Sequence, residues 1–473
     1  MAEEEGVTHT KTGNFSEWYN EVVLKGGLAD FSSAKGFMFI KPTGYAIWER
    51  IQHIFNEKIQ KTGHENAFCP TVMPERLLKR EKEHLEGFAP EVFYVTHAGN
   101  SKLDERLVLK PTGETVIYEA YSKWVRSWRD LPLKYNYWNS SFRAEIKMTK
   151  LFLRTSEFLW QEGHTVHATE KEAAEEVLLI LDDYRSLMEE QLAIPVLTGK
   201  KSEKEKFAGA LYTTTLEAMM PDGKALQMGT SHHLGQNFSK PFNIKFLDKH
   251  QKRQLAWQTS WGISTRMIGA LVMVHGDDKG LVLPPHIAPI QAVVVPIYKD
   301  KTRALVEREA KKIRSRLNVR STVDLREQTP GWKFHDWELR GVPLRIEVGP
   351  RDLEKKQVIL VRRDTGAKQP VKLTLLDTAI KKLLEDIQKS LFAKATAFLK
   401  AHTHSVKTFK EFQSVLEKKR GFLLAGWCQS RKCEEKVKDK TTADIRLIPF
   451  DRTKAPCIVC KKAGMQVYFA KAY

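Results

Sequence analysis

A chain of 473 residues, 42% hydrophobic and 29% charged, has an ordinary globular composition and room for roughly three domains. Its 77 Lys and Arg against 58 Asp and Glu leave a formal net charge of +19, which points to a polyanionic partner because neutralising phosphates releases counterions. No apolar run approaches the roughly 20 residues that span a bilayer, the start MAEEEG is unlike a targeting peptide, and there is no internal repeat, so a cytoplasmic protein without a membrane partner is expected.

Gly36 to Ile40 reads as an apolar strand stopping at Pro42, followed by a helix in which Trp48, Ile51, Phe55 and Ile59 recur at helical spacing. A second strand is expected over Asn66 to Val72. In Val108-Leu-Lys-Pro-Thr-Gly-Glu114 a strand stops at Pro111 and presents Thr112 and Glu114 on a tight turn before a helix. Residues of these types at a helix start are expected to cap it, a role compatible with ligand contact.

The stretch from Ser141 to His164, SFRAEIKMTKLFLRTSEFLWQEGH, carries Arg143 and Glu145 in its first half and Arg154, Phe158 and Glu162 in its second. Both halves are expected to be strands, whose alternation would set each group on one face. Two guanidinium forks suit phosphate oxygens, and a phenyl ring suits a base. From these residues alone, a nucleotide-binding face and a solvated hairpin with surface ion pairs both remain open.

Thr169 and Glu172 predict a capping box for a helix with apolar face Ala173, Val177, Leu181, Tyr184 and Met188. The segment ALQMGTSHHLGQNF places Gln227, Thr230, His232 and His233 close enough to line a pocket, although adjacent histidines on a strand point to opposite faces. Past Gly262, Arg266 opens an apolar helix, where the dipole disfavours a cation unless an anion lies nearby. The proline-rich LVLPPHIAPI, from Leu281 to Ile290, reads as a domain boundary.

Beyond it VVVPIY, a basic helix with Leu305, Ala310, Ile313 and Leu317, the strand-like STVDLR, LRIEV and VILVRRD, and a closing helix through Leu383, Ile387, Leu391 and Phe398 predict an α/β domain. Its basic and aromatic groups Arg326, Trp332, Lys333, Arg351, Arg362 and Arg363 suit single-stranded RNA, and equally a solvated face. Cys428-x4-Cys433 and Cys457-x2-Cys460 match a tetrahedral structural zinc. Tyr473 adds a phenol to the end of the tail.

Together these pieces resemble a class II aminoacyl-tRNA synthetase, and within that class the prolyl-tRNA synthetases of archaeal and eukaryotic type. Gly36 through Pro42 with the following helix look like motif 1, Phe142 to Glu162 like motif 2 and Gly262 to Arg266 like motif 3; LRTSEFLWQEGH, GTSHHLGQNF, HGDDKGLVLPP and GWKFHDWELRGVP read like the family. The resemblance covers nearly the whole chain. It implies an α+β catalytic core on an antiparallel sheet over 1–286, an α/β anticodon-binding domain over 287–402 and a small zinc-binding C-terminal domain over 403–473.

The resemblance implies an ATP-dependent proline–tRNA ligase that forms prolyl-adenylate and charges tRNA(Pro), acting as a homodimer through motif 1. Arg143 would bridge the proline carboxylate and the α-phosphate. Glu145 would contact the adenine side, Phe158 would stack on the base, and Arg154 and Thr155 would hold the phosphate tail opposite Arg266 and Ser264. Gln227 and Thr230 would contact the nucleotide, Gln227 also near Mg2+. Thr112, Glu114, Trp160, Glu162, His164 and His232 would surround the L-proline. Lys333, Glu338, Arg351 and Arg362 would meet the anticodon, and Cys428, Cys433, Cys457 and Cys460 would hold Zn2+.

Three positions depart from the family pattern: Gly113 where a serine is usual, Ala144 for an aromatic and Ser260 for a glycine. Only about 65 residues separate Glu162 from Gln227, too few for an inserted editing domain of ordinary domain size. A non-catalytic RNA-binding paralogue would have lost the phosphate arginines, and all three are present. A synthetase of the same class for threonine, serine or histidine would have no role for the four tail cysteines.

Overall fold

The computed structural model describes residues 6–84, 91–144 and 148–473. Its centre is a seven-stranded sheet in the order Glu65–Ala67, Leu133–Phe142, Glu157–His167, Trp257–Ser264, Ala225–Gly235, Tyr212–Met219 and Leu197–Lys200. Only the first pair is parallel; every other neighbour runs antiparallel. One face is closed by the helices Pro42–Gln60 and Glu170–Ser186.

The expected helical stripe is the core stripe. Ile47, Trp48, Ile51, Phe55 and Ile59 are buried with Tyr184, Trp261 and Ile263, and the Phe55 ring stacks 5.2 Å from that of Tyr184. Burying each such side chain contributes about 1.5–3 kcal/mol, so this layer fixes the sheet from below. The second helix begins with the predicted capping box, Thr169 accepting from the Glu172 backbone and Glu172 from that of Thr169.

Several local expectations give way to tertiary context. The run from Asn66 to Val72 is two short strands, Glu65–Ala67 and Val72–Pro74, which enter different sheets. Thr112 and Glu114 do not cap the helix Glu114–Trp124, whose N-cap is Gly113 without a side-chain bond. The two strands of the central hairpin are Leu133–Phe142 and Glu157–His167, leaving Arg143 and Arg154 just outside them on the connecting segment.

That segment is held by its backbone: Arg143 N–H donates to Ser156 O at 2.8 Å, and Ser156 N–H to Gly36 O at 2.8 Å. Gly36 has φ of +93°, and a Cβ there would lie 2.4 Å from Ser156 Oγ. Only glycine fits both constraints.

The second unit is a five-stranded sheet in which Ala292–Pro296 lies between parallel neighbours Ser321–Val323, at the edge, and Leu344–Val348, and the sheet is extended antiparallel by Gln357–Arg362 and Lys368–Lys372. Val306, Ala310 and Ile313 of the helix Arg303–Arg316 face this core, whereas Leu305 is exposed. Two latches tie the unit to the first. Arg320 donates to the carbonyls of Pro285 (2.8 Å), Ala288 (2.9 Å) and His286 (3.0 Å), and Arg363 grips the Asp277 carboxylate with both nitrogens at 2.6 and 2.7 Å.

The third unit packs Phe412, Leu423, Trp427, Ile445, Val467 and Phe469 into a core of its own. Its edge is stitched to the central sheet by reciprocal bonds between Lys200 and Ile448 at 2.8 and 2.7 Å. Ala225 N–H donates to Lys471 O at 2.8 Å, and Tyr473 N–H to Ala225 O at 3.2 Å.

Candidate active site

The open face of the central sheet carries a cavity of about 910 Å³. Its lining includes Thr112, Glu114, Trp160, Glu162, His164 and His232 at one end, and Arg143, Arg154, Thr155, Phe158, Gln227, Thr230, Ser264 and Arg266 at the other. Glu145 lies outside the described residues.

Strand alternation explains the gathering. Phe158, Trp160, Glu162 and His164 take every second position of one strand, Thr230 and His232 do so on another, and both sets reach the same face. His233 points to the other face, with its ring 5.1 Å from Tyr212 and 6.0 Å from Trp257.

At the first end, Glu162 is nearly fully buried. Its carboxylate accepts from the Gly113 N–H at 2.9 Å and from Asn139 Nδ2 at 2.9 Å, and it meets His164 Nε2 at 3.1 Å. Thr112 Oγ1 donates to Glu114, and His164 Nδ1 meets the Tyr118 hydroxyl at 3.1 Å. Ligating atoms of Glu114, Glu162 and His164 all lie within 4.8 Å of one another. Among the described residues neither carboxylate has an ammonium or guanidinium bonded to it, so two buried carboxylates this close suit a small cation.

Gly113, the departure from the family pattern, is accounted for here. A Cβ on it would stand 2.5 Å from both Glu162 oxygens, so the bare backbone lets its N–H reach the carboxylate. Burial pushes the His232 imidazole down to about 3, with the neighbouring His164 and Lys201 adding to the effect. His232 is therefore neutral at physiological pH, its nitrogens meeting the hydroxyls of Thr213 (2.9 Å) and Thr230 (3.1 Å).

The other end is cationic. Arg266 opens the helix Arg266–His275, as the sequence predicts. Burial lowers its guanidinium to about 10, with Arg143 adding to the shift, Glu217 opposing it, and Arg154 adding further. Among the described residues its buried Nε meets no hydrogen-bond partner, nor do Trp160 Nε1 and Ser260 Oγ in the same lining. Buried donors are ordinarily satisfied, and crowded guanidiniums are stable only beside an anion. The Arg143 guanidinium lies 5.1 Å from the Phe158 ring centroid, in the place where a stacked base was expected.

Sequence reasoning left out Asn139, Lys201, Phe207 and Thr213. The Phe207 ring lies 4.8 Å from His232, and Lys201, Phe207 and Thr213 line the cavity. The alternating Tyr212-Thr-Thr-Thr-Leu-Glu217 was the available signal, because it sets Thr213, Thr215 and Glu217 on one strand face.

The anticodon candidates do not converge on a comparable cavity. Lys333 is buried, donating to Asp324 O at 3.2 Å. Glu338 accepts from Arg345 at 3.2 Å, Arg362 grips Asp364 at 2.7 and 2.9 Å, and Arg351 is exposed. In the third unit the sulfurs of Cys428, Cys433, Cys457 and Cys460 lie within 4.8 Å of one another. Four thiols in that compass fit a tetrahedral zinc, whose Zn–S bonds of about 2.3 Å would draw them only slightly closer.

A mostly antiparallel sheet with an arginine-lined, nucleotide-sized cavity on its open face defines a class II aminoacyl-tRNA synthetase core. Consistently, the family described as "tRNA synthetase class II core domain (G, H, P, S and T)" matches residues 94–275. "Anticodon binding domain" matches residues 291–383, and "Prolyl-tRNA synthetase, C-terminal" matches 409–473.

Among curated relatives, the proline–tRNA ligase of Cenarchaeum symbiosum is 52% identical over 474 residues, covering 99% of both chains. That of Natranaerobius thermophilus is 51% identical over 467 residues, 97% of this chain and 96% of its own. Proline–tRNA ligase 2 of Bacillus cereus is 50% identical over the full length of both chains. The chain belongs to the proline–tRNA ligase family. Among the described residues no helix is long and apolar enough to cross a membrane.

Proposed function

We propose that the cavity activates L-proline with ATP to prolyl-adenylate and transfers the prolyl group to the 3′ end of tRNA(Pro). One observation carries this reading: a single cavity joins a buried pair of carboxylates to three guanidiniums, Arg266 among them with an unpartnered Nε. The carboxylates suit the ammonium of an amino acid and the guanidiniums a polyphosphate.

In this reading Glu114, Glu162 and Thr112 receive the secondary amine, and Trp160, His164 and neutral His232 wall the ring. Arg143 sits between the two ends and bridges the amino-acid carboxylate and the α-phosphate. Arg154, Thr155, Ser264 and Arg266 hold the rest of the triphosphate, while Gln227 and Thr230 hold the nucleotide. Phe158 stacks on adenine once Arg143 leaves its ring for the phosphate. Gln227 would take part in holding Mg2+, which supplies charge neutralisation of the phosphates when bound.

No general base is required, because the attacking group is already a carboxylate. Positioning and charge stabilisation in the in-line transition state suffice. The adenylate is then opened by the ribose hydroxyl of the terminal nucleotide.

The same reading divides the chain at 1–286, 287–402 and 403–473. Lys333, Glu338, Arg351 and Arg362 would contact the anticodon. The four cysteines would hold a structural Zn2+: metal analysis of the purified protein should find one zinc per chain, and a chain that folds and works without zinc would overturn that assignment. Exposed Phe31 (53%), Phe39 (65%) and Tyr45 (43%) beside motif 1 support a homodimer through that face, in the cytoplasm.

The test is amino-acid-dependent exchange of labelled pyrophosphate into ATP, run with the twenty amino acids in parallel. Exchange with proline alone, reduced about 100-fold or more in Arg143→Ala, is expected. Exchange with another amino acid would mean that the carboxylate end is read wrongly.

A further inference from the structure

On the cavity face of the strand Tyr212–Met219, beyond Thr213 and Thr215, stands Glu217. Its side chain is fully buried. Lys201 Nζ donates to its Oε1 at 2.7 Å. From the third unit, Arg446 donates Nε to Oε2 at 3.0 Å and Nη2 to both oxygens at 3.1 and 2.9 Å. Two cations share this one carboxylate, with the more distant Glu205 carboxylate also acting on Lys201, so positive charge is in local excess within the bonded cluster. Burying charge is tolerated only where it is balanced or used.

Three features tie this cluster to the nucleotide end of the cavity. Lys201 itself lines the cavity. Glu217 lies directly across the strand pair from Gln227, at a bulge between Leu216 and Glu217. The field of both Glu217 and Arg446 reaches the Arg266 guanidinium. Arg446 belongs to the unit that carries the cysteine cluster, and Glu434, next to Cys433, accepts from Ser202 Oγ at 2.6 Å, one residue past Lys201.

We infer that Arg446 is a positioning residue for the nucleotide: by gripping Glu217 it sets Lys201 and the Gln227 strand against the triphosphate of ATP, so the C-terminal unit controls the nucleotide affinity of the catalytic cavity. The inference rests on the proposed reading of that cavity. Arg446 is not among the residues that line the cavity. It acts through the carboxylate, and the excess charge it brings is balanced when a polyphosphate arrives.

The experiment is calorimetric titration of ATP into the full chain, with KM for ATP and for proline from pyrophosphate exchange. Arg446→Met should weaken ATP binding about tenfold while KM for proline stays unchanged. Arg446→Lys should recover most of the affinity. Combined with Lys201→Met, Arg446→Met should cost no more than the worse single change, because both act on one route.

A purely structural role for Arg446 would instead lower thermal stability and both affinities together, and ATP binding as tight as in the wild type would overturn the inference directly. Should Arg446→Met not fold, Arg446→Gln takes its place, since it removes the guanidinium charge, keeps a polar group against Glu217 and leaves the buried Lys201–Glu217 pair intact. A wild type that binds ATP but exchanges with an amino acid other than proline overturns the proposed function and leaves this inference standing. A wild type that does not bind ATP overturns both.

Discussion

The two ends of the catalytic cavity are built on opposite plans. At the carboxylate end every oxygen of Glu162 is engaged by Gly113, Asn139 or His164, so the receptor is preformed and rigid. At the arginine end Arg266 Nε meets no hydrogen-bond partner among the described residues, and Arg143 and Arg154 repel its guanidinium against the pull of Glu217, an arrangement that favours an anion. In the proposed reading the amino acid would meet a finished mould, whereas the nucleotide would supply the counter-charge that finishes its own site.

The contrast can be broken from either side. Arg266→Met should remove transition-state charge stabilisation and lower the exchange rate about 100-fold or more, with proline binding, followed by equilibrium dialysis, little changed. Glu162→Gln should act at the other end, raising KM for proline about 30-fold while calorimetric ATP affinity stays as in the wild type. Gly113→Ala pushes a methyl group to 2.5 Å from the Glu162 oxygens and should raise KM for proline by about tenfold. If Glu162→Gln weakened ATP as much as proline, the two ends would be one mechanical unit and the contrast would fail.

The parts legible in the sequence were those written in short spacings. The alternation Phe158-x-Trp160-x-Glu162-x-His164 sets four groups on one sheet face whatever the strand packs against, and the Thr169–Glu172 capping box is closed within three residues. The four cysteines were legible for the same reason, as two tight pairs. What stayed hidden depends on distant partners. Arg143 and Arg154 lie off the strands because the connecting segment is pinned to Gly36, more than a hundred residues away. Asn139 gives no local sign of its bond to Glu162, nor does Arg446 of its grip on Glu217.

Leu305 illustrates a smaller ambiguity. Its neighbour Val306 is one helical position away and equally apolar, and it is Val306 that shares the buried face with Ala310 and Ile313. The run from Asn66 to Val72 illustrates another. It is apolar enough for one strand, yet the chain leaves one sheet and joins another within it, a choice set by partners rather than propensity.

The proline-rich junction between the first two units is clamped by Arg320 on the carbonyls of Pro285, His286 and Ala288 and by Arg363 on Asp277. These bonds make the junction a braced joint rather than a free hinge. With that joint braced, the catalytic cavity and the second unit form the two jaws of a fixed calliper. In the proposed reading, an RNA that touches both would thereby be gauged for length as well as for sequence.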